Sequence, residues 1–211
     1  ILGAGQMGAG IAYAAARKGI TAILKDTDLA AAERGKDYAR QACAKNKRMS
    51  EAEREALLAL IRPSAEYADL AGCDAVIEAV FERRDVKAAV VRELEAVLGH
   101  NALIASNTSS LCITELGAGT TRPDKVAGLH FFNPVPLMKL VEVIKALSTS
   151  QETFDALFGF AQAIGKEPIT APDRGGFIVN RLLVPYLLDA IRCLEEGLGT
   201  VEDLDKGMKL G

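Results

Sequence analysis

Short apolar runs alternate with longer amphipathic segments along most of the chain. The short runs are rich in Val, Ile and Leu and end at polar or glycine residues, which predicts strands at Ile20–Lys25, Asp74–Val80, Ala102–Ser106, Val126–Phe131, Leu140–Ile144 and Pro168–Thr170. The longer segments predict helices at Gly8–Lys18, Leu29–Lys47, Glu51–Ile61, Val86–Leu98 and Gln151–Ile164. This alternation favours an α/β fold over residues 1–172, in which helices cover a parallel sheet.

A different pattern begins after the last of these strands. Residues 172–176 predict a loop, and apolar residues then recur at three- and four-residue spacing over Phe177–Glu196, which predicts a long helix containing Pro185. A capping box predicts a further helix at Val201–Leu210. We therefore expect residues 173–211 to begin a second, all-helical domain. Its broad apolar face needs a partner, either further residues of the chain or another subunit.

Composition narrows the class of protein. Of the 211 residues, 49% are apolar and 25% are charged, which is typical of a soluble globular protein. The formal net charge of −3 argues against a general nucleic-acid binder. The longest apolar run, Leu182–Leu188, is far shorter than the roughly 20 residues of a membrane-spanning helix. We expect neither nucleic acid nor a membrane as a partner.

The cysteines and the first residues bear on the compartment. The four cysteines form no CxxC pair, which argues against a zinc cluster or a disulfide framework, predicts no metal site and favours a reducing compartment. The chain starts at Ile1, without methionine and almost without a strand before a glycine turn, so we expect a fragment clipped at its N-terminus. A removed targeting peptide would leave no trace in such a fragment. A bacterial cytoplasm is the expected location, and a mitochondrial matrix is the alternative.

A glycine-rich turn stands between the apolar start of the chain and the first predicted helix. Gly3, Gly5 and Gly8 form the pattern G-x-G-x-x-G. In a dinucleotide-binding turn the first glycine permits a tight bend, the second lets a pyrophosphate approach the backbone, and the third lets helix and strand pack closely. Backbone amides of the helix's first turn, which includes Gln6 and Met7, would then face the phosphates.

An acidic residue follows this turn at the distance that a dinucleotide site requires. Asp26 comes 18 residues after Gly8, at the end of the predicted strand Ile20–Lys25, where a carboxylate would bind the adenosine ribose hydroxyls. This context favours a Rossmann-like domain over the alternative, a structural turn with a surface aspartate. The carboxylate would repel a 2′-phosphate, and Thr27 stands where NADP-binding proteins often carry arginine. We predict NAD rather than NADP.

Polar residues collect where predicted strands end. Residues 105–111 follow one strand, and His130 ends another, with Asn133 just beyond. Glu142 alternates with valines in a third strand, and a buried acid there needs a partner. His130 is the natural partner, because a histidine tuned by a carboxylate suits acid–base chemistry near neutral pH. The alternative is a histidine of the core, and the spacing alone leaves both open. His100, in a polar turn, is predicted to lie at the surface.

Four segments together resemble the 3-hydroxyacyl-CoA dehydrogenase family, in particular its stand-alone 3-hydroxybutyryl-CoA type: Ser106–Leu111, Gly128–Pro136, Lys139–Val143 and Gly176–Arg181. The resemblance extends through essentially all of the chain. It implies NAD-dependent, reversible oxidation of an L-3-hydroxyacyl-CoA to a 3-ketoacyl-CoA in fatty-acid or butanoate metabolism. It also implies a CoA-thioester substrate and a homodimer joined through the helical domain.

The resemblance also implies roles for individual residues. His130 becomes the general base and Glu142 its partner, while Ser109 and Asn180 contact and orient the substrate. Residues expected to contact or lie near the cofactor are Glu82, Lys87, Asn107 and Asn133. One position departs from the family, because Gly175 stands where the family usually has proline, and we expect this change to loosen the start of the following helix.

A basic stretch covers Arg34–Arg48, with six basic residues against one acid. Such a stretch is commonly a solvated helix face. The alternative is a docking surface for the phosphates of CoA, with Lys45 and Lys47 as candidate contacts, and the resemblance supports this location.

Two other functions stay open at this point. The first is a related NAD-dependent dehydrogenase of a free hydroxy acid or sugar acid. The second is a non-catalytic dinucleotide-binding module, which would keep the glycine turn but need not keep Ser109, His130, Glu142 and Asn180 together.

Overall fold

Seven strands share one sheet in the computed structural model, which describes all 211 residues. The strands are β1 (Ala22–Lys25), β2 (Ile61–Ser64), β3 (Ala75–Glu78), β4 (Leu103–Ser106), β5 (Val126–Phe131), β6 (Leu140–Lys145) and β7 (Glu167–Pro172). The helices are α1 (Gln6–Ala16), α2 (Leu29–Lys45), α3 (Glu51–Ala59), α4 (Arg84–Val97), α5 (Ile113–Ala118), α6 (Gln151–Ala163), α7 (Val179–Glu195) and α8 (Val201–Leu210). Helices and strands alternate as the apolar pattern predicts, and the α/β fold class is confirmed.

The first residues of the chain hold the two parts of the sheet together. Leu2 forms parallel bridges to Lys25 of β1 on one side and to Glu78 of β3 on the other. From this position the chain builds β1 and β2 outward in one direction and β3, β4 and β5 in the other. Ligands of open α/β sheets bind outside the carboxyl ends of the strands where the order reverses in this way. The glycine turn starts at that point.

One pair of strands departs from the expected parallel order. The pairs β1–β2, β3–β4, β4–β5 and β6–β7 are parallel, but β5 and β6 are antiparallel. Only residues 132–139 connect them, and a parallel crossover needs a dozen residues or more. The reversal sets His130 directly opposite Glu142 in the register of the two strands.

Two short elements were not predicted from the sequence. Strand β2 contains Arg62 and Pro63 and lies at the edge of the sheet, where proline is tolerated but the apolar alternation is lost. The predicted helix through Ile61 therefore ends earlier, at Ala59. Helix α5 has six residues, too few to show a helical period.

Helices pack on both faces of the sheet and close its core. One cluster of buried side chains joins α4 and α5 to the strands, with Leu94 and Ile104 among its members. A second joins α1 and α6 to the other face, with Ile11 and Leu157 among its members. Because both faces are covered, the exposed loops at the carboxyl ends of the strands are where the fold leaves room for a ligand.

The last two helices lie outside this core. Helix α7 begins at Val179 rather than at the predicted Phe177, because Phe177 adopts a left-handed backbone conformation with φ of 47°. The helix continues through Pro185 to Glu195. No residue of α7 or α8 is buried. None of the helices of the structure combines the length and apolar character needed to cross a membrane.

Candidate functional site

The glycine turn has the geometry of a phosphate-binding turn. Gly3 has φ of +87°, and a Cβ there would lie 2.5 Å from the carbonyl oxygen of Ala79. A Cβ on Gly8 would lie 1.8 Å from the carbonyl oxygen of Gly3. At Gly5, by contrast, no atom lies within 4 Å of the Cβ position, so the backbone faces open space. Helix α1 starts at Gln6 without a side-chain cap, which leaves amides of its first turn available to an anion.

Asp26 is fixed beside this turn. One carboxylate oxygen accepts a hydrogen bond from the backbone N–H of Ala4 at 2.6 Å, and the other accepts from that of Thr27 at 2.7 Å. The carboxylate borders a largely apolar cavity of about 500 Å³ that Gly5 and Met7 also line. An open backbone, free helix amides and a carboxylate at the mouth of an apolar cavity fit the adenosine half of a dinucleotide.

A buried acid–base pair lies at the same edge of the sheet. His130 Nδ1 is 2.8 Å from Glu142 Oε2, and the two residues are 3% and 0% exposed. His130 Nε2 is 3.1 Å from the hydroxyl oxygen of Ser109. The rings of Phe132 and Phe177 lie 4.6 and 5.5 Å from the imidazole. An Nδ1–H that donates to Glu142 leaves the lone pair of Nε2 facing Ser109.

The second oxygen of Glu142 binds the start of α7. Oε1 accepts hydrogen bonds from the backbone N–H groups of Ile178 and Val179, both at 3.0 Å. Helix α7 has no side-chain cap, so Glu142 serves in its place, and the positive end of the helix dipole favours the carboxylate. Asn180, which is half-buried, follows in the same turn. One carboxylate therefore contacts both the imidazole and the helix that carries Asn180.

Glu82 holds the loop that presents Ser109. Its Oε1 accepts hydrogen bonds from the hydroxyl of Thr108 at 2.5 Å and from the backbone N–H of Ser109 and Ser110 at 2.9 and 3.1 Å. Partial burial raises the pKa of Glu82, but the hydrogen bond from Thr108 and the charge of Lys87 outweigh it and lower the pKa below its ordinary value. The anionic carboxylate fixes the loop next to His130.

Lys87, which is predicted to contact the cofactor, has its ammonium enclosed by protein acceptors in the structure. The residue is 1% exposed, and its ammonium donates to Glu78 Oε1 at 2.6 Å and to the carbonyl oxygen of Val80 at 3.2 Å. It also lies 3.3 Å from Glu82 Oε2. Three protein acceptors surround the three N–H groups of Lys87, and through one of these contacts its ammonium holds the carboxylate of Glu82 in place. Glu78, which also accepts from Ser106 at 2.7 Å, was missed, although it too is an acid in a buried strand.

The two asparagines predicted near the cofactor have different surroundings. Asn107 is buried, and its side-chain oxygen accepts from the backbone N–H of Phe131 at 2.9 Å, which ties the ends of β4 and β5 together. Asn133 is exposed in the loop after β5. The ammonium of Lys166 donates to the carbonyls of Val135 and Met138 and so fixes this loop. Burial lowers the pKa of Lys166.

Lys45 and Lys47, the candidate contacts to CoA, lie at the end of α2 that is far from Asp26. Lys45 ends this 17-residue helix, roughly 25 Å along its axis from the end near Asp26, and Lys47 follows it; both are exposed. Arg40, in the same stretch, pairs with Asp37 and with Glu33. No group of three or more residues is arranged to hold a metal ion.

A nucleotide-binding turn and a buried histidine–carboxylate pair at one sheet edge define the site of a nicotinamide-dependent oxidoreductase. The chain belongs to the 3-hydroxyacyl-CoA dehydrogenase family: the model of its NAD-binding domain matches residues 1–174, and the model of its C-terminal domain matches residues 176–211. The family, the enzyme class and the NAD cofactor expected from the resemblance are confirmed.

Individual relatives agree with this family. The chain is 46% identical, over its whole length, to the human protein named hydroxyacyl-coenzyme A dehydrogenase, mitochondrial, of which it covers 70%. It is 43% identical to a 3-hydroxybutyryl-CoA dehydrogenase of Bradyrhizobium diazoefficiens, again over its whole length and over 73% of the relative. The crystal structure of an (S)-3-hydroxybutyryl-CoA dehydrogenase from Ralstonia eutropha matches all of this chain and 76% of its own, with 43% identity and a TM-score of 0.96.

Proposed function

We propose that the chain oxidises L-3-hydroxyacyl-CoA thioesters to 3-ketoacyl-CoA thioesters reversibly with NAD, as a step of fatty-acid or butanoate metabolism, and that His130 is the general base. Family membership establishes the reaction class and the cofactor. The assignment of the base is supported by one observation above all. Glu142 holds Nδ1 of His130 at 2.8 Å, which leaves Nε2 as the basic nitrogen at the surface of the site.

Each residue of the site has a separate role in this reaction. His130 accepts the proton of the substrate's 3-hydroxyl group at Nε2. Glu142 offsets the charge that the imidazole gains and keeps the ring in place. Ser109, whose hydroxyl lies 3.1 Å from Nε2, contacts the 3-oxygen, and Asn180 orients the substrate from the first turn of α7. NAD, when bound, supplies the acceptor for the hydride that leaves C3.

The cofactor is proposed to lie along the glycine turn. Gly3, Gly5 and Gly8, with the first-turn residues Gln6 and Met7, would hold the pyrophosphate, and Asp26 the adenosine ribose. Glu82, Lys87, Asn107 and Asn133 would contact or lie near the nicotinamide side of the cofactor, close to Ser109. Asp26 favours NAD over NADP, because a 2′-phosphate beside this carboxylate meets a like charge. Comparable kcat/KM values with NADPH and NADH would contradict this preference.

The experiment that tests the function compares two substrates that differ in the CoA moiety. Oxidation of NADH is followed with acetoacetyl-CoA and, in parallel, with free acetoacetate. The proposal predicts turnover of the thioester at a rate typical of enzymes and little turnover of the free acid. A preference for free acetoacetate would favour a dehydrogenase of free hydroxy acids, and a failure to turn over either compound would favour a non-catalytic module.

Lys45 and Lys47 are proposed to bind the phosphates of CoA. Both are exposed, and neither forms a salt bridge like those that Arg40 makes with Glu33 and Asp37, so their charges are available to an anion. Replacing both by Met is expected to raise KM for CoA thioesters and to leave KM unchanged for truncated pantetheine thioesters. Equal changes for both substrates would favour the alternative, a solvated helix face.

The domain boundary and the oligomeric state are also proposals. We place an NAD-binding domain at residues 1–172 and the beginning of a helical domain at 173–211, supported by the absence of buried residues in α7 and α8. Trypsin is expected to cut at the exposed Arg192, in the part of α7 that does not pack on the sheet, before it cuts within residues 1–172. The exposed leucines of α7, among them Leu187, support a homodimer through this domain. Leu187→Glu should then lower the mass measured by light scattering.

A reducing compartment is proposed for the chain. All four cysteines are free thiols, which supports the bacterial cytoplasm as the location, with a mitochondrial matrix as the alternative. Fractionation of the source cells with an antibody to the protein distinguishes these two locations.

A further inference from the structure

Lys25, the last residue of β1, is a buried lysine without an acidic partner. It is 6% exposed, and its ammonium lies 4.0 Å from the centre of the Tyr67 ring. Its one hydrogen bond goes to the carbonyl oxygen of the next residue, Asp26, at 3.1 Å. An ammonium has three donors, so two have no acceptor in the protein. A buried charge with unfilled donors is costly unless a ligand fills them.

The other buried lysines of the molecule show how this cost is otherwise met. Lys87 has Glu78, Val80 and Glu82 around its ammonium. Lys166 donates to two backbone carbonyls. Lys25, by contrast, lines the cavity of about 500 Å³ beside Asp26. Its unused donors are therefore available to whatever occupies that cavity.

The walls of the cavity indicate what this occupant is. Tyr67 lines it together with Leu2, Val80, Val86 and Val90, so most of the lining is apolar. Such walls suit a flat heterocyclic base, and ring nitrogens of a purine can accept hydrogen bonds from an ammonium. A phosphate group would be poorly placed there, because it would lose its water to apolar side chains and lie close to the carboxylate of Asp26.

We propose that Lys25 and Tyr67 recognise the adenine base of the cofactor, with the ammonium of Lys25 donating to a ring nitrogen. The proposal rests on the proposed function only in placing the adenosine beside Asp26. Lys25 takes no part in hydride transfer and sets the choice of base. A buried donor discriminates strongly, since an analogue that lacks the acceptor leaves the donor unpaired.

Direct binding of base-modified cofactors tests this role without any turnover. Dissociation constants are measured by calorimetry for NADH and for its 1-deaza, 3-deaza and 7-deaza adenine analogues. One of the three analogues is expected to bind the wild-type protein about tenfold or more weakly than NADH, as for a hydrogen bond to a charged group. Equal affinity of the wild-type protein for NADH and all three analogues would overturn the proposal.

The variant Lys25→Met removes the ammonium and keeps an unbranched side chain. We expect it to bind NADH about tenfold more weakly than the wild type and to bind all three analogues as it binds NADH. Lys18→Met, at an exposed lysine beyond the other end of α1, is the matched control and should keep the wild-type pattern. Undiminished discrimination by Lys25→Met would overturn the proposal.

NADPH and reduced nicotinamide mononucleotide distinguish recognition of the base from other roles of Lys25. If Lys25 bound a 2′-phosphate, the wild type would bind NADPH as tightly as NADH. Lys25→Met would then lower the affinity for NADPH but not for NADH. This outcome would overturn base recognition. Reduced nicotinamide mononucleotide, which lacks the adenosine, should bind Lys25→Met and wild type equally. If NADH binds with the predicted discrimination but acetoacetyl-CoA is not reduced, the proposed reaction fails while this inference stands.

Discussion

Leucine side chains differ in burial between the sheet region and the two helices that follow it. In the sheet region Leu94 is 0% exposed, whereas Leu187, in the middle of α7, is 49% exposed. The sheet region therefore has a core of its own, and α7 and α8 have none. The site therefore depends on two regions that are stabilised to unequal extents.

Within residues 173–211, only the segment that joins the two regions is fixed by contacts with the sheet region. Phe177 is buried in the core of the sheet region, and Asp173 accepts hydrogen bonds from the backbone N–H groups of Ile113 and Thr114. Glu142 binds the first turn of α7. All three contacts fall before or at the start of α7, so Asn180 is positioned by the sheet region while the rest of the helix is not.

The largest effect is expected from a change in the sheet region alone. His130→Gln keeps a polar side chain but removes the basic nitrogen, so we expect kcat to fall by about 10²–10⁴-fold. The dissociation constant for NADH should change little, because the glycine turn is untouched. Stopped-flow oxidation of NADH with acetoacetyl-CoA gives kcat, and fluorescence titration gives the dissociation constant.

The matched control is His100→Gln, at the exposed second histidine, which should keep the kcat of the wild type. A His130→Gln variant that retains most of its kcat would refute the assignment of the base.

A pair of leucine truncations measures how much burial contributes to stability in each region. Leu94→Ala empties part of a closed core and should lower the free energy of unfolding by about 2–5 kcal/mol. Leu187→Ala removes an exposed side chain and should change it by less than about 0.5 kcal/mol at protein concentrations too low for association. Urea unfolding monitored by circular dichroism measures both. Losses of similar size would show that α7 is packed as closely as the core.

The sequence predicts the sheet region well because apolar periodicity reports burial. The apolar pattern predicts strand β5 at its observed bounds, whereas β2, with Arg62 and Pro63, shows no such periodicity. The direction of β6 depends on the length of the loop between β5 and β6, which the alternation of helices and strands does not report. The start of α7 depends on the backbone of Phe177, which its residue type does not indicate.

Contacts in the candidate site could be predicted from the sequence only where a buried acid requires a partner. Glu142 stands between valines and requires a partner, and this requirement points to His130. The same argument applies to Glu78 and Lys87, but the residue types alone do not show that the ammonium of Lys87 is enclosed. The contact between Glu142 and the amides of α7 could not be predicted, since backbone donors leave no mark in the sequence.

A smaller effect is expected at the junction of the regions. Burial raises the pKa of Asp173, but the hydrogen bonds from Thr114 and from the backbone of Ile113 outweigh it and hold the pKa below its ordinary value. The resulting stabilisation is present above about pH 4 and is lost as the pH falls through the lower pKa of the folded state. Asp173→Ala should therefore cost about 1 kcal/mol near neutral pH, as the loss of a helix cap does.

Urea unfolding of the wild type and Asp173→Ala at several pH values checks this prediction. The difference between them should shrink below about pH 4. A difference that stays constant from pH 7 to the acid range would contradict it.

The smallest effect on the free energy of unfolding is expected at Gly175, two residues after Asp173. Phe177 donates a hydrogen bond to the carbonyl oxygen of Arg174 at 2.9 Å, and Gly176 has φ of +74°, which together describe a type II turn with Gly175 in its second position. Proline favours that position, and the N–H of Gly175 donates no hydrogen bond. Gly175→Pro should raise the free energy of unfolding by about 0.4–1 kcal/mol.

Thermal unfolding measures this gain. Gly176→Ala is the control and should be destabilised, because its φ is positive and its Cβ would lie 2.9 Å from the backbone nitrogen of Arg181. A lower melting temperature for Gly175→Pro than for the wild type would contradict the assignment of the turn.

Hydrogen exchange at the start of α7 tests most directly whether Glu142 joins the two regions. First-turn amides have no partner within their own helix, so their protection reports the bonds from Ile178 and Val179 to Glu142. We predict slow exchange of these two amides in the wild type and in Glu142→Gln, whose side-chain oxygen can still accept, and exchange at least about tenfold faster in Glu142→Ala. Equal exchange in the wild type and Glu142→Ala would contradict the account.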